Sequence, residues 1–184
     1  MKVLIFGASG SGTTTLGNEI ERQIAFKHLD VDHYYWKNTE PPFQEKIPLD
    51  ERNQNLKADF KTFENVVVSG SMVSWGIEWQ TAFDIVVFIT LDNEKRMERL
   101  KNREAERYGK RLITNKSIKQ NSEAFLEWAN QYENPNFEGR SLKIHNNWIK
   151  QLNCKIMRID GEIELIYKTT EVINAIKNHK PHCR

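Results

Sequence analysis

The chain has 184 residues, with 27 Lys and Arg against 25 Asp and Glu, so its net charge at neutral pH is +2. So close a balance creates no strong surface field, which argues against nucleic acid or an anionic membrane as partner. There is no run of about 18 apolar residues for a membrane span, the apolar stretch at the N-terminus is too short for a secretory signal, and Cys154 and Cys183 have neither metal-ligand nor redox spacing; the expectation is a cytoplasmic protein of one domain with a small mobile subdomain.

Residues 2–6 are a short apolar run that enters glycines directly, as a buried strand does. Residues 13–24 read as a helix with Leu16, Ile20 and Ile24 along one face. A second strand covers 26–29 and ends at Asp30-Val31-Asp32, which continue extended. Residues 33–48 are irregular, with Pro41, Pro42 and Pro48 as breakers, and 49–63 form a helix with Leu56 and Phe60 turned inward. Residues 65–69 (NVVVS) and 84–90 (DIVVFIT) are continuous apolar strands, which suit a parallel sheet covered on both faces. Helices follow at 93–108, 116–132 and 140–152, then a strand at 155–159 and a closing helix at 162–178. Strands alternating with helices predict an α/β fold: a three-layer sandwich with about five parallel strands, helices on both faces and a small lid. With no repeat or linker, residues 1–184 form one unit, with an acceptor-binding subdomain at about 33–64 and a lid at about 99–140.

Residues 7–15 read GASGSGTTT and lie between the first strand and the first helix. That is the place and composition of a phosphate-binding P-loop: Gly7, Ser9, Gly10, Ser11 and Gly12 let the backbone wrap closely so that its N–H groups converge on phosphate oxygens. The helix behind it adds unpaired N–H groups and a positive dipole end, through Thr13, Thr14 and Thr15. Thr14 falls where a hydroxyl coordinates Mg²⁺ in the G-x-x-x-x-G-K-[ST] pattern, so ATP and Mg²⁺ are the expected cofactors. Thr13 stands in the lysine position of that pattern and brings no charge. Losing one well-placed donor costs on the order of 3 kcal/mol in activation energy.

Some P-loop kinases carry Gly-Thr-Thr-Thr here, and the loop resembles that of archaeal-type cytidylate kinases. In layout the whole chain resembles the adenylate kinase-like branch of P-loop proteins, the small nucleoside, nucleotide and metabolite kinases. In closer detail it resembles uncharacterised adenylate kinase-related proteins, whose LD-x-D-x-x-x-W segment, valine-rich strand ending in Gly and arginine-rich helix match residues 29–36, 66–70 and 96–107. The resemblance implies phosphoryl transfer from ATP to a small-molecule acceptor: a nucleoside, a nucleoside monophosphate or a metabolite hydroxyl. It also implies that Asp30 holds metal-bound water or takes the acceptor proton, while Asp32 orients the acceptor. The competing reading of the pair is a turn or helix cap. Where many relatives carry an acid at the end of the third strand, this chain has Ser69.

Arg96, Arg99, Arg103 and Arg107 recur every three or four residues and form one helix stripe. Arg99, Arg103 and Arg107 precede Tyr108-Gly109, where the helix breaks, and the resemblance makes them lid residues that clamp the migrating phosphoryl group and replace the charge missing at Thr13. Arg52 and Arg140 are candidate ligands for a substrate anion, although Arg52 is also readable as an ordinary surface arginine. Trp75 is open to two readings, stacking on the acceptor or packing in the core. His145, Trp148 and Leu152 are expected to be core, and the tail from His179 to Cys183 to be disordered. A rival function is a nucleotide-binding regulator without transfer activity, which Thr13 and Ser69 would permit.

Overall fold

The computed structural model describes residues 1–179. Five parallel strands form one sheet: β1 (Lys2–Gly7), β2 (Lys27–Asp30), β3 (Val66–Ser69), β4 (Ile85–Thr90) and β5 (Lys155–Asp160), in the order β2-β3-β1-β4-β5. The unbroken apolar runs follow from burial on both faces. Along β1, Leu4 and Phe6 enter one core with Val68 and Phe88, while Val3 and Ile5 enter another with Val67 and Val87. Each such side chain, fully buried, contributes about 1.5–3 kcal/mol relative to exposure.

The Val3/Ile5 face is covered by α1 (Thr13–Gln23), through Leu16 and Ile20, and by α8 (Leu165–Lys177), through Val172 and Ile176. The Leu4/Phe6 face is covered by α3 (Leu49–Thr62), by the segment between β3 and β4 with its 3₁₀ turn (Ile77–Gln80), and by α7 (Leu142–Ile149), which contribute Leu56, Trp75, Trp79 and Trp148. The predicted three-layer α/β sandwich is therefore the observed fold.

Three local expectations change. Val31–Tyr35 is a short helix, α2, because the Asp30 carboxylate accepts the Asp32 backbone N–H at 2.9 Å and caps it, so the two aspartates do not alternate on an extended strand. The helix expected from residue 140 begins at Leu142, since Ser141 accepts from the Ile144 N–H as its cap and leaves Arg140 in the preceding loop. Between α4 (Asn93–Tyr108) and α6 (Lys116–Asn130) lies an extra turn of helix, α5 (Arg111–Thr114).

The end of β1 is sterically closed. A Cβ on Gly7 would lie 2.4 Å from the Ile89 carbonyl oxygen and 2.6 Å from the Ser11 hydroxyl. Ile89 is the paired residue on β4, so that oxygen is fixed by the sheet. Gly7→Ala is expected to destabilise the protein by about 3 kcal/mol, the upper end of overpacking costs, read as a lowered urea midpoint.

Candidate active site

The loop leaving β1 turns through two left-handed glycines, Gly10 at φ 85° and Gly12 at φ 97°, and delivers the chain into α1. Gly12 is the cap residue of α1, no side chain caps that end, and its first turn carries no acidic residue. The leading N–H groups of the helix and its positive dipole are therefore left for an anion, as a phosphate cradle requires. Thr13 is half-buried, and Thr14 and Thr15 are exposed. Ser11 is fully buried and its hydroxyl has no hydrogen-bond partner among the described residues.

Two arginines grip the loop at Ser9. Arg96, fully buried in α4, donates from Nη1 to the Ser9 carbonyl at 3.4 Å and from Nη2 to Asn93 Oδ1 at 2.8 Å and Glu133 Oε2 at 2.6 Å. Its guanidinium also lies over the Tyr132 ring at 5.0 Å. Arg140 donates from Nη2 to Ser9 Oγ at 2.9 Å and rests on the face of Trp128, 4.8 Å from the ring centroid.

At the carboxyl end of β2, where open α/β sheets bind ligands, Asp30 is buried and engaged as the cap of α2. The helix-cap reading thus holds for Asp30; its other carboxylate oxygen, Oδ2, makes no hydrogen bond among the described residues. Asp32 is exposed to water; crowding by the surrounding crevice, followed by the charge of Asp30, moves its carboxyl upward from the ordinary carboxylate range, an effect that contact with solvent keeps small. Arg140, Arg103 and Arg107 are close enough to pull it partly back.

The arginine stripe divides. The buried face of α4 is Arg96, Leu100, Glu104 and Tyr108, so Arg96 is structural. Arg103 lies over Phe125 at 5.6 Å and Arg107 over Phe43 at 4.2 Å, and both act on Asp32. Arg107 also pairs with Glu104 at 3.0 Å. Arg99 is exposed and lies within electrostatic range of Lys168 on α8, so it does not join the arginines around Asp32. The helical spacing is real and the four stay on one side, but the rise of about 1.5 Å per residue spreads them along the axis, so that each meets different neighbours.

Arg52 is buried, which removes the surface reading. Its guanidinium is clasped between Tyr35 at 4.3 Å and Trp75 at 4.8 Å, donates weakly to the Ser74 carbonyl at 3.5 Å, and leaves Nε unpartnered. No carboxylate lies within ion-pair distance of it among the described residues. Trp75 is 2% exposed and belongs to the core, so it offers no face to an acceptor and serves the site by holding Arg52.

The sequence matches the family described as an AAA domain over residues 3–125, about two thirds of its length. The chain belongs to the AAA domain family. This AAA-domain chain is 34% identical over 175 residues to the protein named Uncharacterized protein YqaC of Bacillus subtilis (strain 168), covering 95% of this chain and 97% of that one. In fold it is similar to the shikimate kinase of Bacteroides thetaiotaomicron (TM-score 0.56, 17% identity, 96% and 98% of the two chains). It is equally similar to the deoxyadenosine kinase of M. mycoides (TM-score 0.56, 16% identity, 97% and 100%). The shikimate kinase of Acinetobacter baumannii, solved with shikimate, gives a TM-score of 0.57 at 16% identity, with 98% and 95% covered. The fold is that of P-loop kinases.

In this AAA-domain chain two site histidines carry no motif by which they could be read. His28 Nε2 meets Ser69 Oγ at 2.8 Å and its Nδ1 meets Asn18 Oδ1 at 2.7 Å, so the residue in the place of the absent acid is already engaged. A Cβ on Gly17 would meet the His28 ring at 2.4 Å, which explains a glycine inside α1. His145 is fully buried, its pKa pushed down to about 3 by burial, and it bridges Ser71 Oγ at 2.9 Å and Tyr132 OH at 2.7 Å. Its expected place in the core is observed, but as the centre of a polar link between the loop after β3 and the end of α6. The expected lid meets the acceptor segment directly, through Arg111 with Glu40, Tyr108 OH to the Pro42 carbonyl at 3.3 Å, and Asn121 to Gln44 at 2.9 Å. Among the described residues no group of three or more His, Cys, Asp or Glu could hold a metal, and no helix is long and apolar enough to cross a membrane. Beyond His179, the expected disordered tail lies outside the described residues.

Proposed function

We propose that this protein is an ATP-dependent kinase of the adenylate kinase-like branch that phosphorylates a small-molecule acceptor in the cytoplasm. The observation that carries the reading is the grouping at the loop: Arg140 donates to Ser9 Oγ at 2.9 Å, and Asp32, open to water, lies within electrostatic range of Arg103, Arg107 and Arg140. A carboxylate so placed takes a proton from an acceptor hydroxyl, and planar cations stabilise the charge that develops on a transferring phosphoryl group. This refines the expected division of labour: Asp32 is the base, and Asp30 shapes the turn and faces the metal shell.

Residues 7–15 hold the nucleotide phosphates, with the uncapped start of α1 as the fitting cradle. Mg²⁺, when bound, would neutralise charge on the phosphates. Thr14 and the free oxygen of Asp30 would hold it, directly or through water, and so small a donor set suits an ion that keeps several waters. Arg52, clasped and without a carboxylate partner, binds an anionic group of the acceptor. The segment 33–64 is the acceptor subdomain, and 99–140 the lid that excludes water.

The test is ADP release from Mg·ATP in the presence of pooled nucleosides, nucleoside monophosphates and hydroxy-metabolites. Acceptor-dependent release that disappears in Thr14→Ala is the expected result, and splitting the pool identifies the acceptor. A second reading, a nucleotide-binding regulator, draws support from the uncharged Thr13 and the engagement of Ser69 by His28. Tight ATP binding with no release for any acceptor would favour it over the kinase.

A further inference from the structure

The P-loop lacks its lysine, but it does not lack a cation. We infer that Arg140 takes the place of the missing lysine, bringing its guanidinium to the nucleotide's β/γ-phosphates from across the loop instead of from the first turn of α1. The inference rests on the nucleotide-binding reading and assigns Arg140 to the nucleotide rather than to the acceptor.

Four arginines are available near the loop or crevice, and their partners decide among them. Arg96 touches the loop, but its guanidinium is committed to Glu133 and Asn93 and is fully buried under Tyr132. Arg103 and Arg107 rest on Phe125 and Phe43, and neither donates to a loop residue among the described residues. Arg140 is on the loop already, with Nη2 2.9 Å from Ser9 Oγ. Its Nη1 and Nε donate to no protein group, and no carboxylate is within ion-pair distance of it, among the described residues. Burial disfavours its charge, and the nearby Asp32 only partly offsets that.

A guanidinium desolvated against Trp128 with most of its donors unused is a site prepared for an anion. Its planar fork grips two phosphate oxygens at once, which a lysine at residue 13 would not do. Arg140 sits directly before the cap of α7, so the phosphate charge comes from the segment that closes the lid region.

The experiment is calorimetric titration with Mg·ATP, inorganic tripolyphosphate and AMP. Arg140→Met is expected to weaken ATP and tripolyphosphate binding by about tenfold to a hundredfold, the worth of one charge-assisted contact, and to leave AMP unchanged. Adding Thr13→Lys to that variant should restore most of the loss, and Arg140→Lys should fall between the two. Circular dichroism melting establishes which variants are folded, and Arg140→Lys, the mildest change, carries the comparison if Arg140→Met is not. Wild-type ATP and tripolyphosphate affinity in folded Arg140 variants, or failure of Thr13→Lys to restore any, would overturn the assignment while leaving nucleotide binding intact. A wild-type chain that binds neither ATP nor tripolyphosphate would instead remove the nucleotide reading itself, and this inference with it.

Discussion

Asp32→Asn is expected to reduce acceptor-dependent turnover by roughly 10²–10⁴-fold, the usual worth of a positioned base, while making the protein more stable at neutral pH. The two effects have one origin. In the folded protein, crowding in the crevice and the charge of Asp30 raise the Asp32 carboxyl above its unfolded value, even with three arginines opposing, and because the group is exposed to water the resulting stability effect is small. The folded state therefore holds the proton more tightly than the unfolded chain does, and stability is lost as pH rises through that raised pKa. Asparagine removes the charge that creates the penalty. The gain in Tm should be present at pH 7 and vanish as pH falls towards about 4, where the unfolded carboxyl is itself protonated. Thermal melts at several pH values, alongside turnover with the acceptor found in the pooled screen, check both halves. Unchanged turnover would remove Asp32 from the chemistry, and a lower Tm at pH 7 would contradict the raised pKa. Carboxylates that act as bases commonly carry this conflict between stability and activity.

Much of the fold was legible because the determining signals are local. The apolar runs of β1, β3 and β4 admit little besides buried parallel strands, and α4 begins and ends where its residues say, with Asp92 as cap and Gly109 at φ 51° as terminator. The P-loop was legible for the same reason, since left-handed glycines and an uncapped helix start are properties of adjacent residues. What escaped was decided by tertiary neighbours. Arg52 looked like one surface charge among many until Tyr35 and Trp75 closed on it, and Trp75 could be assigned to the core only once its burial was known. The stripe on α4 shows charges at helical spacing but not that Arg96 pairs with Glu133 while Arg103 comes within electrostatic range of Asp32 and Arg99 within that of Lys168. The Asp30 cap is a local signal that remained ambiguous, because aspartate serves equally at a turn, a cap and a metal.

The contact between Arg96 and Glu133 predicts an order of effects that exposure alone would reverse. The Arg96 side chain is 0% exposed and that of Glu133 39% exposed, so the arginine looks like the more costly residue to remove. What decides the cost is the charge left behind. In Arg96→Met, Glu133 is left near the surface, where water can solvate it, and the methionine retains much of the packing against Tyr132. The expected loss is about 1–2 kcal/mol, chiefly the hydrogen bond to the Ser9 carbonyl and some core contact. In Glu133→Ala a guanidinium stays buried with Asn93 and Ser9 as its remaining hydrogen-bond partners, and its Nε is unpaired already. Leaving a buried charge with its carboxylate partner removed costs up to about 3 kcal/mol here, the low end for a buried pair because the Glu133 side is open to water. Glu133→Ala should therefore unfold at a lower urea concentration than Arg96→Met, and the double variant should regain most of the difference. The same strut holds Ser9, so Glu133→Ala should also weaken nucleotide binding, although Glu133 makes no contact with the loop among the described residues. Equal midpoints for the two single variants would mean that Arg96 is solvated or otherwise paired in solution, and the P-loop would then have one arginine support, Arg140, rather than two.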